Sequence, residues 1–249
     1  NEAEKSFLTA ISHDAADIES REALADFYVL SDQIEKAERA HLDLVAIQEN
    51  SPESRLELAK FYSKADRTDD AIATLTGIIT DAPEYALARY RIGQIYLDRR
   101  EIPAVYEQVD HLLKINDQDT EALMLKARTL LFESKPDEAI KDIETVLKKL
   151  PSSRQALFLM AQARLAAGQI DQANAFITDL ERYHPTYIRA GLLRVQAAFT
   201  TGDPQTALRL SNDLINKAAS AQPNADLDAQ GLQDLRLRGI SSRGLAAIQ

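Results

Sequence analysis

The side chains of this sequence that could bind a metal or carry out acid–base chemistry are its histidines and its clustered carboxylates. The histidines are His13, His41, His111 and His184. None of them has a second histidine three or four residues away, which is the spacing that places two metal ligands on one helix face. We therefore expect surface or packing histidines and no histidine metal site.

One group of carboxylates has a calcium-like spacing. Asp117, Asp119 and Glu121 are placed as in the opening of an EF-hand loop. The sixth position of such a loop needs glycine for a sharp turn, and the twelfth needs a bidentate glutamate. This sequence has Ala122 and Arg128 at those two positions, so we expect no calcium site.

Motifs for covalent or phosphate chemistry are absent from the sequence. Without cysteine the chain has no disulfide, no thiol nucleophile and no zinc–cysteine site. It has neither a serine nucleophile elbow nor a glycine-rich phosphate loop. The neighbouring Asp69 and Asp70 fit the start of a helix, where the helix dipole favours negative charge. The sequence thus predicts no catalytic residue, no cofactor and no metal, and we expect a protein that is not an enzyme.

The composition is that of a folded protein without a membrane span. Of the 249 residues 45% are hydrophobic and 27% are charged. No stretch approaches the roughly 18 consecutive apolar residues of a membrane-spanning helix, so we expect no direct membrane insertion. The net charge of -10 opposes nucleic acid, whose capture relies on Lys and Arg. The sequence leaves the oligomeric state and the compartment open, whether cytoplasm or bacterial periplasm and cell envelope.

Residues 120–153 form the unit around which the chain is organised. Apolar residues recur at helical spacing in its first half, as at Leu123 and Leu130. They recur again in its second half, as at Ile140 and Ile143. The unit is therefore predicted to be two amphipathic helices joined by a turn.

Small residues recur every 34 residues through almost the whole sequence. In the first helices they are Ala25, Ala59, Gly93, Ala127, Ala161 and Val195. In the second helices they are Ala3, Ala37, Ala71, Val105, Ala139, Ala173 and Ala207. We call these two sets the small-residue columns. Because a small side chain lets two helices approach closely, we expect both columns where the helices of a pair meet.

Two further columns complete the pattern. Tyr28, Tyr62 and Tyr96 form a tyrosine column, and Pro83, Pro151 and Pro185 form a closing proline column. A 34-residue period with residues of these types at these offsets resembles the tetratricopeptide repeat family, over about residues 1–221. The resemblance implies an all-α fold, an α-solenoid of antiparallel helix pairs with a right-handed superhelical twist. It implies no chemical activity, because packing defines this family.

The period predicts six repeats between two incomplete ends. Residues 1–17 are expected to be the second helix of a truncated repeat, and the repeats follow at 18–51, 52–85, 86–119, 120–153, 154–187 and 188–221. In the third repeat Val105 replaces the small residue, Pro103 begins the second helix, and Asp117 replaces the closing proline. We expect looser or slightly rotated packing there.

Residues 222–249 are expected to contain an insertion and then the first helix of a further repeat, or an unrelated capping helix. The segment LRLRGI at 235–240 matches LMLKAR at 123–128 if ten residues around 222–224 are inserted. We expect the chain to be a segment of a longer protein.

The turns inside the repeats are predicted from their residue types. Asp32, Asp66 and Ser134 are expected to cap the second helices with their side-chain oxygens. Gly168 and Gly202 are expected to provide a permissive backbone in the corresponding turns.

The inner face of the solenoid, formed in this family chiefly by the first helices, is the expected binding surface. The predicted protein-binding residues are Tyr90, Gln94, Leu97, Met124, Arg128, Leu131, Phe158, Gln162, Leu165, Leu192, Gln196 and Phe199. Apolar side chains of an extended peptide or a helix would contact the apolar members, and the Gln and Arg side chains would hydrogen-bond its backbone. The alternative is that these residues pack mostly against adjacent helices.

Binding energy is expected to concentrate at Tyr90, Arg128 and Phe158, because aromatic and arginine residues dominate most interfaces. Some members of the family hold an acidic chaperone tail with Lys and Asn on the inner face. This sequence has Tyr90, Met124 and Phe158 where lysine would be needed, so the resemblance does not extend to that ligand.

The resemblance implies a non-catalytic scaffold that binds a protein or peptide partner and forms part of a larger bacterial assembly protein. Two alternatives stay open. The repeats could select substrates for a larger enzyme, or they could be a self-association module. No nucleic-acid partner is expected.

Overall fold

The structure of the chain is a computed structural model that describes residues 2–223 and 229–248. These ranges contain helices and turns and no strand. The helices are α1 (Glu2–His13), α2 (Ile18–Leu30), α3 (Ile34–Ile47), α4 (Pro52–Lys64), α5 (Thr68–Asp81), α6 (Ala86–Asp98), α7 (Ile102–Ile115), α8 (Thr120–Phe132), α9 (Pro136–Lys149), α10 (Arg154–Ala166), α11 (Ile170–Tyr183), α12 (Ala190–Thr200), α13 (Pro204–Ser220) and α14 (Ala229–Ile248). None of the described helices combines the length and the apolar composition that crossing a bilayer requires. Asn224, in the predicted insertion, lies outside the described residues.

The helices divide between two compact units. Unit 1 is residues 1–115, with α1–α7, and unit 2 is residues 116–249, with α8–α14. In each unit consecutive helices pack against one another. A helix that contacts mainly its neighbours along the chain is the pattern of an α-solenoid, so the predicted all-α solenoid class is confirmed. The boundary between the units falls near the end of the third predicted repeat.

The starts of the first helices follow the period of the sequence. Five of them begin 34 residues apart, at Ile18, Pro52, Ala86, Thr120 and Arg154. The sixth first helix, α12, begins slightly late, at Ala190. Dividing the chain into repeats with the boundaries given above remains our proposal.

The small-residue columns lie in the cores of both units. Every member is buried except Ala3, which is exposed. Even Val105, the largest residue of its column, is 0% exposed. Since these positions are where paired helices touch, a longer side chain would have to push the helices apart or find a strained rotamer.

The turns between paired helices share one backbone geometry, again at intervals of 34 residues. The residues with positive φ there are Asp32 (57°), Asp66 (60°), Arg100 (61°), Ser134 (60°), Gly168 (73°) and Gly202 (69°). The residue after each of them donates its N–H to a carbonyl five residues earlier, as from Gln33 to Tyr28 at 2.9 Å and from Lys135 to Leu130 at 2.8 Å. This is the Schellman motif, which ends the first helix with one residue in the left-handed region. The predicted role of Gly168 and Gly202 is confirmed, because glycine adopts this conformation without steric cost.

The predicted caps at Asp32, Asp66 and Ser134 are wrong. All three occupy the left-handed position that ends the first helix, and the next helices begin at a residue without a side-chain cap. The physical reason is that the left-handed residue is the second of the three connecting residues, so the N-cap position falls one residue later, on Gln33, Arg67 and Lys135, whose side chains form no cap. Side-chain caps are found on first helices, where Asp17, Ser51, Asp119 and Ser153 accept a backbone N–H, and on the second helix α13, where Asp203 accepts the N–H of Thr206.

In unit 1 two members of the tyrosine column, Tyr28 and Tyr62, form hydrogen bonds to the preceding helices. A tyrosine hydroxyl donates to a glutamate of the preceding pair, and that carboxylate also binds a Lys or Arg. The two sets are Tyr28–Glu4–Lys36 and Tyr62–Glu38–Arg67, with hydroxyl-to-carboxylate distances of 2.9 Å in both and nitrogen-to-carboxylate distances of 2.9 Å and 2.6 Å. We call them the tyrosine–glutamate–cation triads. They explain why a tyrosine, rather than an apolar residue, stands at these positions.

Candidate functional site

An open groove of about 580 Å³ lies in unit 2 between helices α10 and α12 on one side and α14 on the other. We call it the α12–α14 groove. Five of the predicted inner-face residues line it, namely Phe158, Gln162, Leu192, Gln196 and Phe199. The first helices bring these residues together because positions 158 and 192, and likewise 162 and 196, are one repeat apart and face the same side.

The aromatic side chains of the groove are anchored in the core at one edge and open to the groove at the other. Phe158 is half-buried and packs edge-on against Tyr187, with ring centroids 5.8 Å apart and planes at 85°. Phe199 is also half-buried and packs against the cluster that includes Ala198, Ala207 and Ala246. Side chains held in this way lose little further freedom when a partner binds, which favours them as interface anchors.

Polar groups lie between the apolar residues of the groove. Gln162 is half-buried and Gln196 is exposed. Within the described part of the chain neither side-chain amide has a hydrogen-bond partner. Each side-chain amide has two N–H donors and an acceptor oxygen. The two residues can therefore form hydrogen bonds with the backbone of an extended segment or with a partner's polar side chains.

The second wall of the groove comes from α14, and sequence reasoning did not identify it. Its lining residues are Leu237, Arg238, Ser241, Ser242 and Leu245. Leu237 is 53% exposed and Leu245 is 61% exposed, which are large fractions for leucine side chains on a packed helix.

The signal that could have found this wall is the match of LRLRGI to LMLKAR, which places Gly239 in the small-residue column of Ala127. In the structure a Cβ on Gly239 would lie 2.9 Å from Cγ1 of Ile215, so α14 lies close against α13 at this glycine. This close approach fixes which residues of α14 face α12.

The remaining predicted residues of unit 2 do not line this groove. Met124 (8% exposed) and Leu165 (5% exposed) are buried, so they present little surface to a partner and serve the packing of their helices. Arg128 and Leu131 are half-buried on α8. Arg128 has no ion pair within the described residues, so its guanidinium is available to a ligand.

In unit 1 the structure places the three predicted residues on α6. The Tyr90 hydroxyl accepts a hydrogen bond from Gln94 Nε2 at 3.0 Å, and Arg91 donates to Gln94 Oε1 at 2.9 Å. Leu97 is buried. Gln94 lines a cavity of about 370 Å³ together with Leu56, Lys60 and Ser63. These contacts hold the Gln94 amide within its own helix, unlike Gln162 and Gln196.

A second cavity of unit 1, of about 520 Å³, has a charged lining. Four carboxylates face it, those of Glu22, Asp26, Glu53 and Glu57. Lys60 also lines it and pairs with Glu57 at 2.5 Å. This cavity of unit 1 is therefore mainly acidic in charge, whereas the α12–α14 groove has no carboxylate in its lining.

Three of the histidines and carboxylates considered first in the sequence, His41, His184 and Asp119, have packing, hydrogen-bonding or capping contacts. The His41 ring lies 4.9 Å from that of Phe61, and burial lowers the pKa of His41 below its ordinary value. His184 Nε2 lies 2.7 Å from the carbonyl oxygen of Ser152. Asp119 accepts the N–H of Ala122 at 2.9 Å and thereby caps α8. No group of His, Asp or Glu side chains in the described ranges could hold a metal ion.

Comparison with known proteins agrees with this architecture. The family model of the second ARM domain of tetratricopeptide repeat protein 21 matches residues 1–202. None of the curated proteins matches the chain.

Several solved structures are similar. A tetratricopeptide repeat protein from Parabacteroides merdae is 14% identical with a TM-score of 0.71, and the match covers 95% of this chain and 91% of that one. PilW, a type IV pilus biogenesis factor, is 16% identical with a TM-score of 0.68, covering 89% and 98%. PilF of Pseudomonas aeruginosa is 14% identical with a TM-score of 0.63, covering 91% and 99%. At such identities the likeness establishes the fold alone.

Proposed function

The chain belongs to the family of the second ARM domain of tetratricopeptide repeat protein 21, a helical repeat scaffold of the protein-interaction type, and on this premise we propose that it binds a partner protein in the α12–α14 groove. The occupant is a peptide or a helix of the partner, and the chain itself takes no part in catalysis. A role within a larger bacterial assembly protein stays a prediction.

The observation that carries this proposal is the convergence of five predicted inner-face residues on one open groove. Phe158, Leu192 and Phe199 offer apolar surface there, and Gln162 and Gln196 offer unused amides. A groove with an apolar floor and a few polar groups that set orientation is the usual form of a recognition site.

Binding in such a groove follows from elementary energetics. Burying apolar surface of a partner against these side chains yields about 25 cal/mol per Å². The partner's backbone loses hydrogen bonds to water when it enters the groove. Hydrogen bonds to the two glutamine side chains replace them, so no polar group is left unpaired. Two or three anchoring side chains of the partner would supply most of the affinity.

Site-specific photo-crosslinking tests this proposal. A photoreactive amino acid is placed at Gln196 in the groove or at Lys141, which is exposed on α9 and serves as the control position. Each protein is incubated with extract of the source organism, and crosslinked products are identified by mass spectrometry. We expect one defined partner at position 196 and none at position 141.

A second step ties that partner to the groove. The Phe158→Ala variant with the crosslinker at position 196 should lose the product, while circular dichroism should show an unchanged helix content. A partner that crosslinks equally from position 141, or that remains after Phe158→Ala, would contradict the proposal and move binding to another surface.

A further inference from the structure

We propose that the occupant of the α12–α14 groove is an acidic amphipathic segment, which inserts large apolar side chains between α12 and α14 and places a carboxylate on Arg238. This inference rests on the proposed function and specifies the chemistry of the partner.

The first observation is that α14 exposes apolar surface at positions that are buried in α10 and α12. In α10 and α12 the equivalent leucines, Leu159 and Leu193, are 7% and 2% exposed. Leu237 of α14, which follows Leu193 by one repeat plus the ten inserted residues, is 53% exposed.

The same contrast holds one helical turn further on. Ala163 and Ala197 are 0% and 4% exposed, whereas Ser241 at the equivalent position of α14 is exposed. Helix α14 therefore packs on α13 through Gly239 and leaves exposed two positions that are buried in α10 and α12.

The second observation is the size and lining of the space that remains. A volume of about 580 Å³ is within the range of specific ligand sites, roughly 300–1,000 Å³. Phe158, Leu192 and Phe199 line one side, and Leu237 and Leu245 line the other. Apolar side chains of a partner would contact both sides of the groove. They would bury the leucines of α14 as the equivalent leucines of α10 and α12 are buried.

The third observation concerns charge. Arg238 is the charged residue of the groove lining, and no carboxylate lines the groove with it. Helix α14 also carries Arg236 and Arg243, and its one acidic residue is Asp234. Within the described residues none of the three arginines has an ion pair. On a chain with a net charge of -10, α14 is thus a local basic surface, and a carboxylate of the partner would form a charge-assisted hydrogen bond with Arg238.

The shape of the apolar surface favours a peptide over an anionic membrane. A basic helix with exposed leucines could lie on a lipid surface by itself. Here, however, Phe158, Leu192 and Phe199 contribute apolar surface on the opposite wall, where a flat bilayer surface is not expected to reach them.

The test uses the whole chain and a phage-displayed library of random peptides long enough for about four helical turns. Recovered peptides are synthesised, and their affinities are measured by fluorescence anisotropy. We expect large apolar residues and Asp or Glu in the recovered sequences. The Arg238→Glu variant should bind them at least about tenfold more weakly, since a tenfold change corresponds to about 1.4 kcal/mol. The Leu237→Ser variant should show a similar loss.

The matched control is Arg243→Glu, which changes the same charge on the same helix outside the groove lining and should alter affinity by less than about twofold. Peptides that lose binding on Phe158→Ala but keep it on Arg238→Glu and Leu237→Ser would overturn this inference and leave the proposed function standing. A library that yields no binder, or only binders indifferent to Phe158→Ala, would overturn both.

A vesicle sedimentation experiment tests the alternative that α14 binds an anionic membrane. The chain is sedimented with phosphatidylcholine vesicles containing about a third phosphatidylserine. We expect the chain to stay in the supernatant. Sedimentation that Arg238→Glu and Arg243→Glu reduce equally would show a lipid-binding basic surface and would overturn the inference.

Discussion

Units 1 and 2 use the same helix packing but present different inner surfaces. In both, the small-residue columns are buried where paired helices meet, as at Ala71 in unit 1 and Ala173 in unit 2, each 0% exposed. The larger of the two cavities described in unit 1 is lined by Glu22, Asp26 and other charged side chains, whereas the α12–α14 groove is lined mainly by apolar ones.

The units also differ in how successive helix pairs are joined. Unit 1 uses the tyrosine–glutamate–cation triads. The tyrosine column continues into unit 2 as Leu130, Arg164 and Ala198, which cannot form them. Arg164 instead donates to Glu144 at 2.8 Å and to Gln169 at 2.6 Å.

This difference distinguishes the positions that helix packing restricts from the positions that it does not restrict. The small-residue columns, where paired helices touch, accept only short side chains, so they are similar in both units. A column on the inner face carries no such restriction and can become charged or apolar. Recognition is therefore to be sought where the two units differ.

The largest expected effect tests what the units share. Ala71→Leu and Ala173→Leu should each lower the free energy of unfolding by about 1–3 kcal/mol, because a leucine would overpack a contact between paired helices. Chemical denaturation of both variants gives the values. The exposed Lys141→Leu is the control and should change stability by less than about 0.5 kcal/mol. Equal effects at all three positions would show that the column is not where paired helices meet.

The next effect tests the triads. Tyr62→Phe removes the hydroxyl that donates to Glu38 at 2.9 Å and should cost about 0.5–1.5 kcal/mol. Tyr96→Phe is the matched control, because Ile72 stands where Glu38 would be and no hydrogen bond from the Tyr96 hydroxyl is present in the described residues. If Tyr62→Phe and Tyr96→Phe shift the denaturation midpoint equally, the triads do not stabilise unit 1.

The triads also predict a dependence on pH. The hydrogen bond from Lys36 lowers the pKa of Glu4, and that from Arg67 lowers the pKa of Glu38, both below the ordinary value of 4.5. A depressed carboxyl pKa stabilises the folded state above 4.5, and this stabilisation is lost as the pH falls through the folded-state pKa. Acidification below 4.5 should therefore destabilise wild type more than Glu38→Gln, as measured by thermal unfolding at several pH values. A Glu38→Gln curve parallel to that of wild type would refute this.

The smallest effect concerns the turns. Ser134→Gly should raise stability by about 0.5 kcal/mol, because serine is strained at a φ of 60° and glycine is not. Gly168→Ser should lower stability by a similar amount, since nothing lies within 4 Å of a Cβ placed there and the cost is conformational. Differential scanning calorimetry can measure both, and changes of the opposite sign would contradict the assigned turn.

Much of the fold could be predicted from the sequence because packing and period are local properties. The small-residue columns indicated which positions would be buried, and all but Ala3 are. The turn chemistry was harder, because Asp and Ser favour both helix caps and left-handed turns, and the residue type alone did not separate them at Asp32, Asp66 and Ser134.

The groove was predicted only on one side. Phe158, Gln162 and Phe199 follow the period and could be placed on the inner face. Leu237 and Arg238 lie beyond an insertion that breaks the period, and their exposure depends on how α14 packs against its neighbouring helices. That packing is a tertiary property that no local pattern in the sequence encodes.

The most direct test of the central claim compares the two inner faces in one titration. With a partner or selected peptide, isothermal calorimetry is performed on Phe158→Ala in unit 2, on Lys60→Ala in unit 1 and on the outer-face Lys141→Ala. We predict that Phe158→Ala weakens binding by about 2 kcal/mol or more, while both lysine variants bind like wild type. Full affinity in Phe158→Ala together with lost affinity in Lys60→Ala would contradict the claim and assign recognition to unit 1.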